Sequence, residues 1–166
     1  LWLISDEAYR ELFYVDARVS SVWGVTEDEV PGITGRRISI ETTSKVWNAC
    51  GLRIGALVTD SAEFHARAVA ENTASLCPNA IGQYIFGALN EVPHDDLRGW
   101  YEHLRGYYGE MLSSFTADLN ERLPGVIVSS PDASIYSVVD VRNIAPEGFD
   151  ALDFVLWCTA EGAVDL

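Results

Sequence analysis

Positive charge is scarce in this chain. Eleven lysines and arginines face 25 aspartates and glutamates over 166 residues, for a formal net charge of −14. Such a surface repels polyphosphates and anionic lipid headgroups, so neither nucleic acid nor a membrane is an expected partner. An anionic ligand would need a locally positive pocket. Cysteine is nearly absent too. Cys50, Cys77 and Cys158 are scattered, odd in number and form no C-x-x-C pair. That excludes a zinc site or a disulfide framework and points to a reducing, cytoplasmic home, with no metal. Cys50 is expected to be a small buried hydrophobe. No apolar stretch is long enough to span a bilayer, and no signal peptide is visible. The only methionine is Met111, and Leu1 opens the chain inside what reads as a buried strand. A fragment of a longer protein is therefore expected.

The rest of the composition is that of a folded domain. Nearly half of the residues are hydrophobic, with no low-complexity tract or internal repeat. The length fits one domain, or one and part of another, with enough apolar mass for a core.

The apolar run 1–5 stops at Asp6, the pattern of a parallel strand covered on both faces. Residues 36–41 alternate around Ile38 and Ile40 and predict a second strand, and 54–59 a third. Gly24, Pro31, Gly32 and Gly35 punctuate a loop between the first two. Ser61 or Asp60 can cap a helix over 62–75, which Glu63 favours in its first turn. Pro78 opens a helix to about residue 90. A long helix is predicted over 95–123, with Leu97, Trp100, Leu104, Tyr107 or Tyr108, Met111, Phe115 and Leu119 at three- and four-residue steps. Pro124-Gly125 ends it. Two β-like runs, 126–129 and 134–141, precede a helix over 149–160. The order reads as the back half of an α/β domain, a connecting helix and the start of a smaller α+β domain.

The chemistry-bearing residues lie in the first third. Lys45 is the only lysine, set in Thr42-Thr43-Ser44-Lys45. Every other strongly basic side chain is an arginine, so an amine-specific role fits Lys45. Asp6 sits at the carboxyl end of a predicted strand, where open α/β sheets place ligand groups. Tyr9 follows three residues later. Arg53, in Gly51-Leu52-Arg53-Ile54-Gly55, carries a guanidinium fork suited to phosphate, and Thr42 and Ser44 offer hydroxyls beside the lysine.

Asp-x-x-Tyr at a strand end, then Ser/Thr-x-x-Lys, then Gly-x-Arg-x-Gly resembles the pyridoxal-phosphate (PLP) enzymes of the aspartate aminotransferase family, the fold-type-I class I/II aminotransferases. The resemblance implies PLP as cofactor, with Lys45 as the Schiff-base lysine and Asp6 paired to the pyridine nitrogen. It implies Tyr9 on the ring oxygen and Thr42 and Arg53 as phosphate ligands, with Ser44 also among the cofactor-binding residues. Ala133-Ser134-Ile135-Tyr136 looks like the family's first small-domain strand. The implied division is a partial large domain at 1–93 (a mainly parallel sheet with flanking helices), a connecting helix at 94–123 and a partial small α+β domain at 124–166. The family's upstream phosphate loop, ring-stacking aromatic and ring-oxygen asparagine are not in the sequence, nor is its late carboxylate-binding arginine; Arg142 is no substitute. The implied activity is transfer of an amino group between an amino acid and a 2-oxo acid in a homodimer. The cofactor residues alone leave open a lyase, a decarboxylase, a cyclopropane-forming synthase, or the PLP-sensing domain of a transcription regulator. In a fragment, an exposed sheet edge and apolar faces are expected.

Overall fold

A computed structural model describes residues 1–16 and 20–162. Residues 163–166, the end of the expected small domain, lie outside it. The described chain divides into two compact units, one of residues 1–111 and 131–136 and one of residues 112–130 and 137 onward.

The first unit is built on strands β1 (Leu3–Asp6), β2 (Arg37–Thr42) and β3 (Gly55–Thr59), in that spatial order. β1 and β2 are parallel, with Asp6 opposite Ile40; β2 and β3 are antiparallel, with Thr42 opposite Gly55. The sheet is thus mixed. The segment between β1 and β2 is long enough for a crossover, whereas residues 43–54, tied at their ends by the Thr43 N–H to the Ile54 carbonyl, bring the chain back antiparallel. Gly55 is needed at that return, because a Cβ there would stand 2.9 Å from the Glu41 carbonyl oxygen.

β1 is not covered on both faces. Leu3 is 37% and Ile4 60% exposed, because no described element packs over those side chains. The apolar run records a hydrophobic strand correctly, but it cannot say which segment would cover it. Trp2 has a neighbour, with its ring 5.6 Å from that of Phe64.

Helix α1 (Ala62–Ala74) begins where Ser61 Oγ accepts the Phe64 N–H at 3.2 Å, so Ser61 is the cap rather than Asp60. Asp60 instead pairs with Arg37 of β2. Helix α2 (Ala80–Gly87) starts two residues after Pro78, because Asn79 Oδ1 accepts the N–H groups of Ile81 and Gly82. A 3₁₀ turn carries the chain on to Glu91.

Helix α3 (His94–Arg122) is one unbroken element of 29 residues. Its residues to Met111 belong to the first unit and those from Leu112 to the second. Residues 131–136 belong to the first unit. In the first unit the inward positions are Leu97, Tyr101, Leu104 and Tyr108. Trp100 and Tyr107, read from the sequence as candidates for the same stripe, are 36% and 57% exposed. Met111 is 45% exposed. The helix has two apolar stripes, and only one of them meets the core of Leu12, Val46 and Leu104.

The second unit contains the last turns of α3, a short antiparallel pair of β4 (Ile127–Val128) and β5 (Val139–Asp140), and helix α4 (Ala151–Gly162). Leu112 and Val126 are its buried apolar side chains. Asp150 caps α4, accepting the N–H groups of Leu152 and Asp153. Phe154 and Trp157 on this helix are 44% and 59% exposed. Among the described residues no helix is long and apolar enough to cross a membrane.

Candidate functional site

Strand direction collects the sequence-predicted residues. β1 and β2 run the same way, so Asp6 and Thr42 finish at the same end of the sheet. β3 runs back from that end, so Arg53, Ile54 and Gly55 begin there. The turn carrying Ser44 and Lys45 leaves from Thr42, and Tyr9 follows Asp6 by one turn.

That turn is held from inside by Thr43, which is 1% exposed. Thr43 N–H donates to the Ile54 carbonyl at 3.1 Å, and Ala49 N–H donates back to the Thr43 carbonyl at 3.1 Å. The Thr43 hydroxyl reaches the Ile54 and Ala49 carbonyls at 3.2 and 3.3 Å. Val46 packs into the core cluster, and the Trp100 indole N–H donates to its carbonyl at 2.8 Å. Lys45, between these anchored residues, is half-buried and makes no ion pair among the described residues.

Arg53 closes the loop in the left-handed region, with φ 52°. A side chain there costs about 1–2 kcal/mol relative to the right-handed region. Its guanidinium is exposed and donates to the Cys50 carbonyl at 2.7 Å, with no carboxylate partner among the described residues. In a chain of net charge −14, Lys45 and Arg53 place two unpaired cations at one end of one sheet. Cys50 is exposed, not a buried hydrophobe, because it opens the 3₁₀ turn before Arg53.

A cleft of about 650 Å³ opens beside this loop. Thr42, Ser44 and Arg53 line it, over an apolar floor that includes Ile40 and Leu57. Thr42 Oγ1 donates to Ser44 Oγ at 2.9 Å and accepts the Ser44 N–H at 3.1 Å. With the Thr42 proton and the Ser44 N–H engaged in this pair, the Ser44 hydroxyl and the Arg53 guanidinium remain as donors that suit a phosphate group. Lys45, Asp6 and Tyr9 do not line this cleft. Asp6 is exposed, and its Oδ1 accepts the Ala8 N–H at 3.1 Å. Tyr9 is half-buried beside the core, with its hydroxyl 2.7 Å from that of Tyr136. That hydrogen bond, with burial and the charges of Tyr136 and Asp6, pushes the Tyr9 phenol up to about 12.

Beneath the end of β1 lies a polar network that the sequence reading missed. Glu7 is buried and accepts hydrogen bonds from Val22 N–H (3.0 Å), Ser21 Oγ (3.0 Å) and Arg10 Nη1 (3.2 Å). Arg10 also pairs with Glu41 at 3.1 Å. Fully buried Ser39 donates to Glu41 and accepts from the Trp23 indole at 3.0 Å. Its only sequence signal was a second carboxylate, Glu7, directly after Asp6.

The family model for aminotransferase class I and II matches residues 1–161. The chain belongs to that family. An aspartate aminotransferase of Musicola paradisiaca (strain Ech703) is 26% identical over 167 residues, covering 99% of this chain and 38% of the relative. The α-aminoadipate aminotransferase of Thermus thermophilus, solved with N-(5'-phosphopyridoxyl)-L-leucine, superposes with a TM-score of 0.77 at 22% identity, covering 97% of this chain and 39% of that one. The aromatic aminotransferase of Pyrococcus horikoshii OT3 gives a TM-score of 0.74 at 24% identity, covering 99% and 41%. The fold is thus part of the aminotransferase α/β fold. The chain spans about two fifths of the length of the relatives it matches.

Proposed function

We propose that this chain serves a PLP-dependent aminotransferase, acting on an amino acid and a 2-oxo acid in a cytoplasmic homodimer. The observation that carries this reading is the convergence of Asp6, Tyr9, Thr42–Lys45 and Arg53 at one end of the sheet in a chain of this family. Thr42, Ser44 and Arg53 hold the phosphate. Asp6 would pair with the pyridine nitrogen and favour its protonated form, and Tyr9 would donate to the ring oxygen. When bound, the cofactor supplies an electron sink for charge developing at the substrate α-carbon. Lys45 provides the attachment amine, and its Nζ takes a proton from the α-carbon and returns it. The turn anchored by Thr43 and Val46 limits where that amine can swing.

A borohydride trap tests this. The protein is incubated with PLP, reduced and digested, and the modified peptide is identified by mass spectrometry, with Lys45→Ala as control. The expected result is an adduct on Lys45 that the variant lacks. Label confined to the α-amino group of Leu1, or none at all, would overturn the assignment.

A further inference from the structure

Tyr9 meets a residue 127 positions further along the chain. The Tyr136 hydroxyl lies 2.7 Å from that of Tyr9, and the rings meet edge to face with centroids 5.6 Å apart. Tyr136 is 59% exposed, so core burial does not account for its position. Backbone fastening does. Ser134 N–H donates to the Leu12 carbonyl at 2.8 Å, and Tyr14 N–H donates to the Asp132 carbonyl at 2.8 Å. The Tyr14 hydroxyl donates to the Ser134 carbonyl, and Phe13 and Ala133 form an antiparallel bridge. Ile135 packs on the Leu12, Val46 and Leu104 cluster that also backs Tyr9 and the Lys45 turn. The segment 131–136 is thus tied along residues 12–14, and the next side chain it delivers is Tyr136.

A phenol has one proton to give and lone pairs to accept with. Two phenols in contact can therefore pass hydrogen bonding onward in one direction, each polarising the next. We propose that Tyr136 is a positioning residue for Tyr9: without cofactor it accepts the Tyr9 proton in a hydrogen bond, and when that proton turns to the ring oxygen of the cofactor it donates to Tyr9 Oη in its place. This rests on the PLP reading above. Tyr136 acts only through Tyr9, and its ring edge also fixes the plane in which the Tyr9 hydroxyl lies. With Tyr9 as the donor of the pair, loss of its proton forfeits that hydrogen bond, which agrees with the upward displacement of Tyr9.

The test uses protein containing 3-fluorotyrosine, which lowers phenol titration into a range where the fold persists. The ¹⁹F signal of Tyr9, assigned from Tyr9→Phe, is followed against pH without cofactor. In Tyr136→Phe, which keeps the ring, the Tyr9 midpoint should fall by about one pH unit or more from its wild-type position, since it loses the hydrogen bond that raises it. Tyr84→Phe, which removes an exposed phenol on α2, should leave it unmoved. With PLP bound, the pH midpoint of the visible absorbance should move in Tyr136→Phe in the same direction as in Tyr9→Phe, and by less. An unmoved Tyr9 midpoint, or an absorbance midpoint that shifts in Tyr9→Phe but not in Tyr136→Phe, overturns the role of Tyr136. A wild-type protein that forms no Lys45 adduct in the borohydride trap overturns the functional reading instead, and with it the role of Tyr9 toward a cofactor.

Discussion

Replacing Glu7 by glutamine removes one charge and almost no volume, so it isolates what the buried carboxylate does. The Glu7 side chain is 3% exposed and serves three donors at 3.0–3.2 Å, one of them the Arg10 guanidinium. An amide can accept from two of these at most. Its own N–H₂ then faces the third donor, and two donors in contact leave both unsatisfied. A hydrogen bond to a charged group contributes about 1.5–3 kcal/mol. Arg10 keeps Glu41 and Glu11 as partners, which caps the electrostatic loss. The net cost expected for Glu7→Gln is therefore about 2 kcal/mol. The variant should also change the response to pH. Burial alone would raise the Glu7 pKa, but the hydrogen bonds from Val22 and Ser21 and the Arg10 charge outweigh it and hold the group below its ordinary value of 4.5. Its contribution is thus fully present above 4.5 and is lost as pH falls through the lower folded value. Urea unfolding followed by tryptophan fluorescence at pH 7 and at successive points below 4.5 measures both effects. Wild type should lose its advantage over Glu7→Gln as the pH drops. A variant within about 0.5 kcal/mol of wild type at pH 7, or a gap that does not close in acid, would refute the reasoning.

Other perturbations separate the scaffold from the cofactor site. Arg53→Gly relieves the left-handed backbone, so the urea midpoint should hold or rise slightly, while affinity for PLP falls roughly ten- to hundredfold with the loss of a charged hydrogen bond. A falling midpoint at unchanged affinity would contradict the phosphate role. Gly82→Ala should cost about 1–3 kcal/mol in thermal or urea unfolding. A Cβ there would stand 2.7 Å from Ile54 Cγ1 and 2.9 Å from the Leu52 carbonyl oxygen, the latter being backbone that cannot swing aside. An unchanged melting temperature would show that α2 is free to shift away from the loop.

Most elements and their approximate limits were legible because each carries a local signal: the Ser61 cap, the Pro124-Gly125 stop, the alternation around Ile38 and Ile40. The run 134–141 was not, since it forms a strand only at Val139–Asp140, and the bridge to Phe13 falls just ahead of it at Ala133. Direction and cover were not. That β3 turns back on β2 follows from how the turn between them closes, and Thr43, which closes it, looks like any other threonine in a hydroxyl-rich run. The cover expected over β1 failed because hydrophobicity states a demand for burial and not its supply. At the site, the motif residues were legible by type and spacing. The partners that set their environment were not, since Tyr136 and Tyr9 are joined only by tertiary pairing across 127 residues. The phosphate-like donor set lines one cleft without Lys45, Asp6 or Tyr9, a separation that no spacing rule reports.

The first unit is discontinuous in sequence, and a ribosome makes chains in order. Residues 1–111 emerge before 131–136, so the Tyr14 N–H and the Leu12 carbonyl lack these partners until Asp132 and Ser134 follow. Until then the Tyr9 hydroxyl has no Tyr136, and the cluster beneath the Lys45 turn lacks Ile135. Synthesis must therefore run well past the residues that would grip a cofactor before their surroundings can close. A nascent chain arrested between residues 111 and 130 should bear every motif of the first unit and still hold its Lys45 turn loosely.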